Sequence, residues 1–237
     1  MKVISVILAL LLSSVAAAAE TRPVVVELFT SQGCSSCPPA DKLLGELAQR
    51  GNVIALGYHI TYWDGAQWHD PLSLREATER QQAYDETLTR GQIYTPQMVI
   101  EGTEDVVGSE RSLVLAALDK AKPVAAASVT FAPDRRSVTI GAGAAPAGAG
   151  VLLARYVLRR ATEVKGGENA GHAAVDVNAV TSLKMIGEWA GKAESLPIEP
   201  PRDGEGLALL VQSPDGRFLG AASIEGPATS PPQAPRA

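Results

Sequence analysis

The only cysteines of the chain, Cys34 and Cys37, lie in the stretch "LFTSQGCSSCPPADKLL" at residues 28–44. A pair spaced Cys-x-x-Cys can serve as a redox dithiol, as half of a zinc site, or as a small structural bridge. A structural zinc site needs a second pair of ligands. The three histidines, His59, His69 and His172, form no ligand cluster with the spacing such a pair requires. As a bridge, the pair closes a very short loop and removes little unfolded-state entropy. A chain of 237 residues, 46% hydrophobic and 20% charged, can bury a core without that help. The redox reading stands first. Cu(I) binding is the alternative from another class, because soft thiolates suit that ion and a nearby His or Met98 could complete the site. A third reading is a partner-binding module whose disulfide is not catalytic.

In thiol–disulfide exchange a thiolate attacks a disulfide sulfur, and a second thiol resolves the mixed disulfide. The more N-terminal cysteine is the better placed for attack from outside, so Cys34 is the expected nucleophile and Cys37 the resolving thiol. A helix start lowers a thiol pKa through its backbone N–H groups. Pro38 and Pro39 suit a first helical turn, where a missing N–H has no partner to lose. The regular helix is therefore expected to begin near Pro38, with Cys34 in the turn before it and less influenced by the helix.

The flanking segments supply the elements that must hold this pair. "PVVVELF" at 23–29 reads as a strand rich in β-branched residues. In "PADKLLGELAQR" the spacing of Ala40, Leu43, Leu44 and Leu47 predicts a helix, and Gly51 a stop. "VIALGY" at 53–58 reads as a second strand, giving a βαβ unit and a parallel pair. Residues 59–75 gather Tyr62, Trp63 and Trp68 with His59, His69, Asp64 and Asp70. A polar helix over 76–90 follows, then "IYTPQMVIEG" as a strand interrupted by Pro96, and "TEDVVG" as the far arm of a hairpin. Proline is out of place in a central ladder, and a cis Thr95–Pro96 bond would resolve the conflict. "SERSLVLAALDKA" reads as a helix with Ser109 as N-cap and Leu113, Ala116 and Ala117 on its apolar face.

From about residue 124 to 225 the pattern changes to strands and turns, among them "GVLLARYVLRR", "AVDVNAVTSLKMI", "GLALLVQS" and "RFLGAASI". "SPDG" at 213–216 is a turn signal between the last two. Hairpin-like spacing leads to the expectation of an antiparallel sandwich or partial barrel. The end, 226–237, is Pro- and Ala-rich and is expected to be disordered.

At the N-terminus, Lys2, the apolar run Val3–Leu12 and the small residues Ala17–Ala19 read as a secretory signal peptide over 1–19. The run is too short for a span, which needs about 18–20 apolar residues, and no later segment supplies one. Cleavage after Ala19 removes one charge, Lys2, and moves the net charge from −5 to −6. A mildly acidic chain without a basic run argues against nucleic acid or an anionic membrane as main partner. Export implies a periplasmic or secreted location, where a disulfide can persist. The expected partner is a protein or small-molecule thiol or disulfide, and no cofactor is expected beyond the redox-active Cys34–Cys37 pair.

The order of CxxC-bearing βαβ unit, X-Pro strand, hairpin and helix resembles the thioredoxin fold over about residues 23–121. More specifically, "VELFTSQGCSSCPPAD", "YHITYWDGAQW", "YTPQMVIEG" and "GGENAG" together resemble a family of secreted bacterial thioredoxin-like proteins of unassigned function. The resemblance covers nearly all of the mature chain. It implies an α/β fold: a thioredoxin-like N-terminal domain, with 59–90 as an insertion, followed by a β-rich, sandwich-like antiparallel domain over 124–225. It also implies redox chemistry, without naming a substrate. Carried over, Pro96 is the cis-proline facing the dithiol, and Thr95 presents backbone to substrate. Glu27, seven residues before Cys34, is the candidate for the buried carboxylate that accepts the resolving thiol's proton; its spacing is one residue longer than usual, and a Glu facing solvent at a strand edge is the alternative. Trp63 and Trp68 could wall a substrate groove or pack the insertion onto the core. His59 and His69 could tune the Cys34 thiolate, and His59 is also a candidate substrate-binding residue. "KGGENAGHAAV" reads as a glycine-rich turn between strands, with a loop reaching the dithiol face as the second reading.

Overall fold

The structure, a computed structural model, describes residues 22–89 and 91–227. The expected signal segment 1–19 lies outside the described residues, as does the expected tail beyond residue 227.

The first half follows the periodicities. Strand β1 (Val24–Thr30) leads through the cysteine loop into helix α1 (Pro38–Leu47), which returns to strand β2 (Val53–His59). β1 and β2 pair in parallel, Val24 beside Val53 through Thr30 beside His59. Ala40, Leu43, Leu44 and Leu47 are the buried face of α1. Helix α2 (Arg75–Tyr84) runs into a π-helical turn, Asp85–Thr89. Strands β3 (Gln97–Ile100) and β4 (Glu104–Val107) form the expected hairpin, and β3 pairs antiparallel with β1. Helix α3 (Arg111–Lys120) starts after Glu110, without a side-chain cap from Ser109. Its buried stripe is Val114, Ala117 and Leu118, while Leu113 is exposed. The stripe 114/117/118 satisfies helical spacing as well as 113/116/117 does, so spacing alone could not choose between them.

The second half holds β5 (Val129–Phe131), β6 (Ser137–Ile140), β7 (Ala149–Glu163), β8 (Ala173–Trp189), β9 (Glu194–Pro197), β10 (Glu205–Gln212) and β11 (Phe218–Glu225). The "SPDG" turn joins β10 and β11, with Gly216 at φ +89. No self-contained sandwich forms. Four of these strands continue the sheet of the first half, in the order β11-β10-β7-β8-β2-β1-β3-β4, and β5-β6-β9 make a small second sheet. The reason lies in burial. β1 and β2 are buried almost along their whole length on both faces, so β2 needs a neighbour on its outer side, and β8 takes that place.

The large sheet is covered on both faces. One face packs Val25, Phe29, Leu56 and Tyr58 of the first half against Tyr156, Val180, Leu210 and Phe218 of the second, under Ala77 and Tyr84 of α2. The other face is covered by α1 and α3 at one end and by the small sheet at the other, through Val138, Ile140, Trp189, Leu209 and Val211. The fold is thus mixed α/β, with a large, mostly antiparallel sheet and few helices. Among the described residues, no helix is long and apolar enough to cross a membrane.

Candidate functional site

Cys34 and Cys37 form a disulfide, with Cα atoms 5.5 Å apart, between the end of β1 and the start of α1. Cys37 is the N-cap of α1. Cys34 lies in the preceding turn, where its N–H donates to Ser31 O (3.1 Å) and its carbonyl accepts from Cys37 N (3.2 Å). Pro38 and Pro39 carry no N–H, and the N–H groups of Ala40 and Asp41 both donate to Cys37 O. The helix therefore offers few free donors to a thiolate. Hydroxyls stand there instead: Ser36 Oγ lies 3.3 Å from Cys34 Sγ, and Thr95 Oγ1 donates to it at 3.4 Å. The Thr95–Pro96 peptide is cis, and Pro96 O is held by Gly108 N (2.8 Å).

Cys34 was expected to be open to attack, and it is 1% exposed. Three segments cover it. Trp63 Nε1 donates to Thr95 Oγ1 at 2.8 Å, closing the indole over the Thr95–Cys34 contact. Asn169 Nδ2 donates to the carbonyls of Gln32 (3.0 Å) and Cys34 (2.8 Å). The Glu168 carboxylate accepts from Ser35 N at 3.0 Å. The glycine-rich loop therefore reaches the dithiol, the second of its two readings. Its glycines permit this. A Cβ on Gly166 would stand 1.8 Å from Gln67 O, and Gly167 takes φ +73 beside Trp68. Trp63 and Trp68, with Gly33, Gly167 and Glu168, line a cleft of about 300 Å³ next to the cysteine turn. Trp68 Nε1 is buried there with no hydrogen-bond partner.

Glu27 occupies a different place from the one expected. Alternation along β1 puts it on the face opposite α1 (Leu28, its neighbour, packs with Ala40). It is fully buried and pairs with Arg80 through Nε (2.6 Å) and Nη2 (2.9 Å), and it accepts from Tyr84 Oη (2.5 Å). It joins α2 to the sheet and does not lie beneath the dithiol.

His59 is likewise not on a substrate surface. It is 2% exposed. Its Nδ1 meets Asp70 Oδ2 at 2.8 Å and its Nε2 lies 3.6 Å from Asp176 Oδ1. Asp70 Oδ2 also accepts from Gln32 N (2.8 Å), and Gln32 Nε2 donates to Asp176 (2.7 Å). Burial pushes the His59 pKa down, but the hydrogen bond and charge of Asp70, then Asp176 and Asp41, overcome it and raise it to about 9. Burial raises Asp176. It works the same way on Asp70, where His59 and the N–H groups of Gln32 and Leu72 prevail and lower it. Burial also raises Asp41, to about 7, against the pull of His59 and a hydrogen bond from Thr30. His69 is exposed and pairs with Asp64 at 2.9 Å. Met98 lies in the core beneath α1. Among the described residues, no group of three His, Cys, Asp or Glu side chains could hold a metal ion.

Sequence reasoning did not single out Asp41 or Asp176, nor Gln32 as the partner of Asp70 and Asp176. Asp41 had a signal, since it sits four residues after Cys37 on a legible helix. Asp176 had none, because it meets His59 only through the pairing of distant strands.

The family model described as "Protein of unknown function (DUF1223)" matches residues 25–212, from the first buried position of β1 to the end of β10. The chain belongs to this family. Among solved structures it is similar to the crystal structure of protein AGR_C_4864 from Agrobacterium tumefaciens, at 32% identity and a TM-score of 0.73, over 92% of this chain and 100% of that one. It is also similar to HBP35 of Porphyromonas gingivalis, at 15% identity and a TM-score of 0.57, over 92% of this chain and 80% of that one, a likeness of fold alone. No protein with a curated description matches it.

Proposed function

We propose that this chain is an exported, thioredoxin-like thiol–disulfide oxidoreductase acting through Cys34 and Cys37. The observation that carries the reading is the Thr95 hydroxyl donating to Cys34 Sγ from the loop opposite the helix start. A structural bridge needs no such donor. A sulfur that alternates between disulfide and thiolate does, because hydrogen bonds to the charged form lower its pKa. The β1–α1–β2 unit with the cysteines at its helix start, followed by the β3–β4 hairpin and α3, supports the thioredoxin-like reading. The cleft of Trp63 and Trp68 is the substrate groove in this reading. A protein partner suits it, since indole faces can meet an apolar or aromatic side chain.

In the forward direction the reduced Cys34 thiolate attacks a substrate disulfide, and one substrate thiol leaves. Cys37 then attacks Cys34 Sγ, re-forms the Cys34–Cys37 bond and releases the second. Two electrons pass from the dithiol to the substrate, and an external dithiol restores them. The reverse sequence oxidises a substrate dithiol. The test is turnover of a soluble protein disulfide with a small dithiol as electron source. Wild type should accelerate it and Cys34→Ala should fall to the uncatalysed rate; equal rates for the two would remove the reading.

A further inference from the structure

With Glu27 committed to Arg80 on the far face, the proton of the resolving thiol needs another acceptor, and this inference rests on the exchange reading above. We propose that Asp41 is the proton acceptor and donor for the Cys37 thiol. Cys37 has helical backbone angles, φ −79 and ψ −35, and Asp41 N donates to Cys37 O at 3.1 Å. The two side chains are therefore i and i+4 on one face of the helix, about 5–6 Å apart at Cβ. Both side chains thus project within one turn of the helix, and general-base transfer runs either directly or through one water.

The surroundings fit a proton station. Asp41 is half-buried. On one side it lines a cavity of about 740 Å³ between α1 and the far ends of β7 and β8. On the other it borders a small internal void shared with Thr30, His59 and Asp176. The cavity gives the Asp41 carboxyl a route for proton exchange with solvent. The groups that face Asp41 are Thr30 from β1, His59 from β2, Asp70 from the following segment and Asp176 from β8. Lys42 and Glu46 of α1 and Arg159 of β7 lie around the cavity. Burial raises the carboxyl to about 7 while His59 restrains it, so it can both take and return a proton near neutrality.

The step balances. In the mixed disulfide the Cys37 thiol gives its proton to the Asp41 carboxylate. The Cys37 thiolate attacks Cys34 Sγ, the Cys34–Cys37 bond forms and the bond from Cys34 to substrate breaks. The substrate thiolate leaves and is protonated from solvent, and Asp41 loses its proton to the cavity. Run backward, Asp41 protonates Cys37 as it departs.

Single-turnover kinetics with a chromogenic aryl disulfide separate the two steps, because its two coloured thiolates leave in sequence. The first reports attack by Cys34, the second resolution by Cys37. Asp41→Asn should leave the first release unchanged and slow the second by about 10-fold or more. Wild-type second-release rates should rise with pH through an inflection near 7, the value burial sets for Asp41, and Asp41→Asn should lose that inflection. Asp41→Ser gives the same comparison with a smaller side chain. Equal second releases in wild type and variants, or a wild-type profile without the inflection, would overturn the role of Asp41 while leaving exchange intact. If folded wild type releases neither thiolate, the exchange reading fails, and this proposal with it.

Discussion

His59 sits between Asp70 and Asp176 with both ring nitrogens engaged, and this governs how it answers pH. Its folded pKa is raised to about 9, above the unfolded value of about 6.5. The folded state therefore binds more protons than the unfolded state across that window, and stability falls as pH rises through it. The full contribution is present below about 6.5 and is lost above about 9, on the order of 3 kcal/mol. Asp41, raised to about 7, acts in the same direction at lower pH: the unfolded chain ionises near 4 while the folded chain stays protonated, so stability declines between those values. Denaturant unfolding from pH 5 to 10 should show this decline in wild type. In His59→Gln the decline between about 7 and 9 that His59 supplies should be absent. An unchanged slope in that variant would show that His59 is not charged in the folded protein.

At the scale of elements, the site is assembled by loops that reach across the sequence. The turn 31–37 is held from one side by Asp70 of the inserted segment and from the other by Asn169 of the loop between β7 and β8. Gly166 sets how closely that loop approaches Gln67 of the inserted segment. Gly166→Val should push the loop off Gln67, cost about 1–3 kcal/mol as overpacking does, and speed reduction of the Cys34–Cys37 disulfide by a small thiol several-fold. A reduction rate equal to wild type would mean the loop does not limit access. Much of the local structure was legible: β1, α1 and β2 from apolar spacing, the β3–β4 hairpin that follows Pro96, the "SPDG" turn. Strand β9, "ESLP", was not, since it is short, polar and ends in proline. The positions of Glu27 and His59 were not legible either. Which face of a strand carries a carboxylate's partner depends on α2 supplying Arg80 there, and the environment of His59 depends on β8 arriving beside β2. Asn178 helps bring it, at φ +49 and with Nδ2 donating to Ala55 O at 3.0 Å. Such contacts are set by long-range pairing, which local periodicity does not encode.

For the whole molecule, the continuous sheet makes the halves depend on each other. One core draws on β1, β2 and α2 as well as on β7, β8, β10 and β11, and Arg80 and Tyr84, the partners of Glu27, reach Gln212 across the join. Residues 22–122 alone should lack a cooperative unfolding transition, whereas the whole chain should unfold in one, read by both circular dichroism and tryptophan fluorescence; a fragment with a sharp transition of its own would contradict this. The same architecture buries Cys34 Sγ under Trp63, Thr95 and Asn169, so the proposed exchange requires the folded protein to admit a partner to Cys34. Mass spectrometry of reduced Cys37→Ser, incubated under native conditions with a disulfide-linked peptide, tests that most directly. A stable mixed disulfide on Cys34 is expected, absent when Cys34 is also replaced by Ser. An adduct that forms only after denaturation would contradict it.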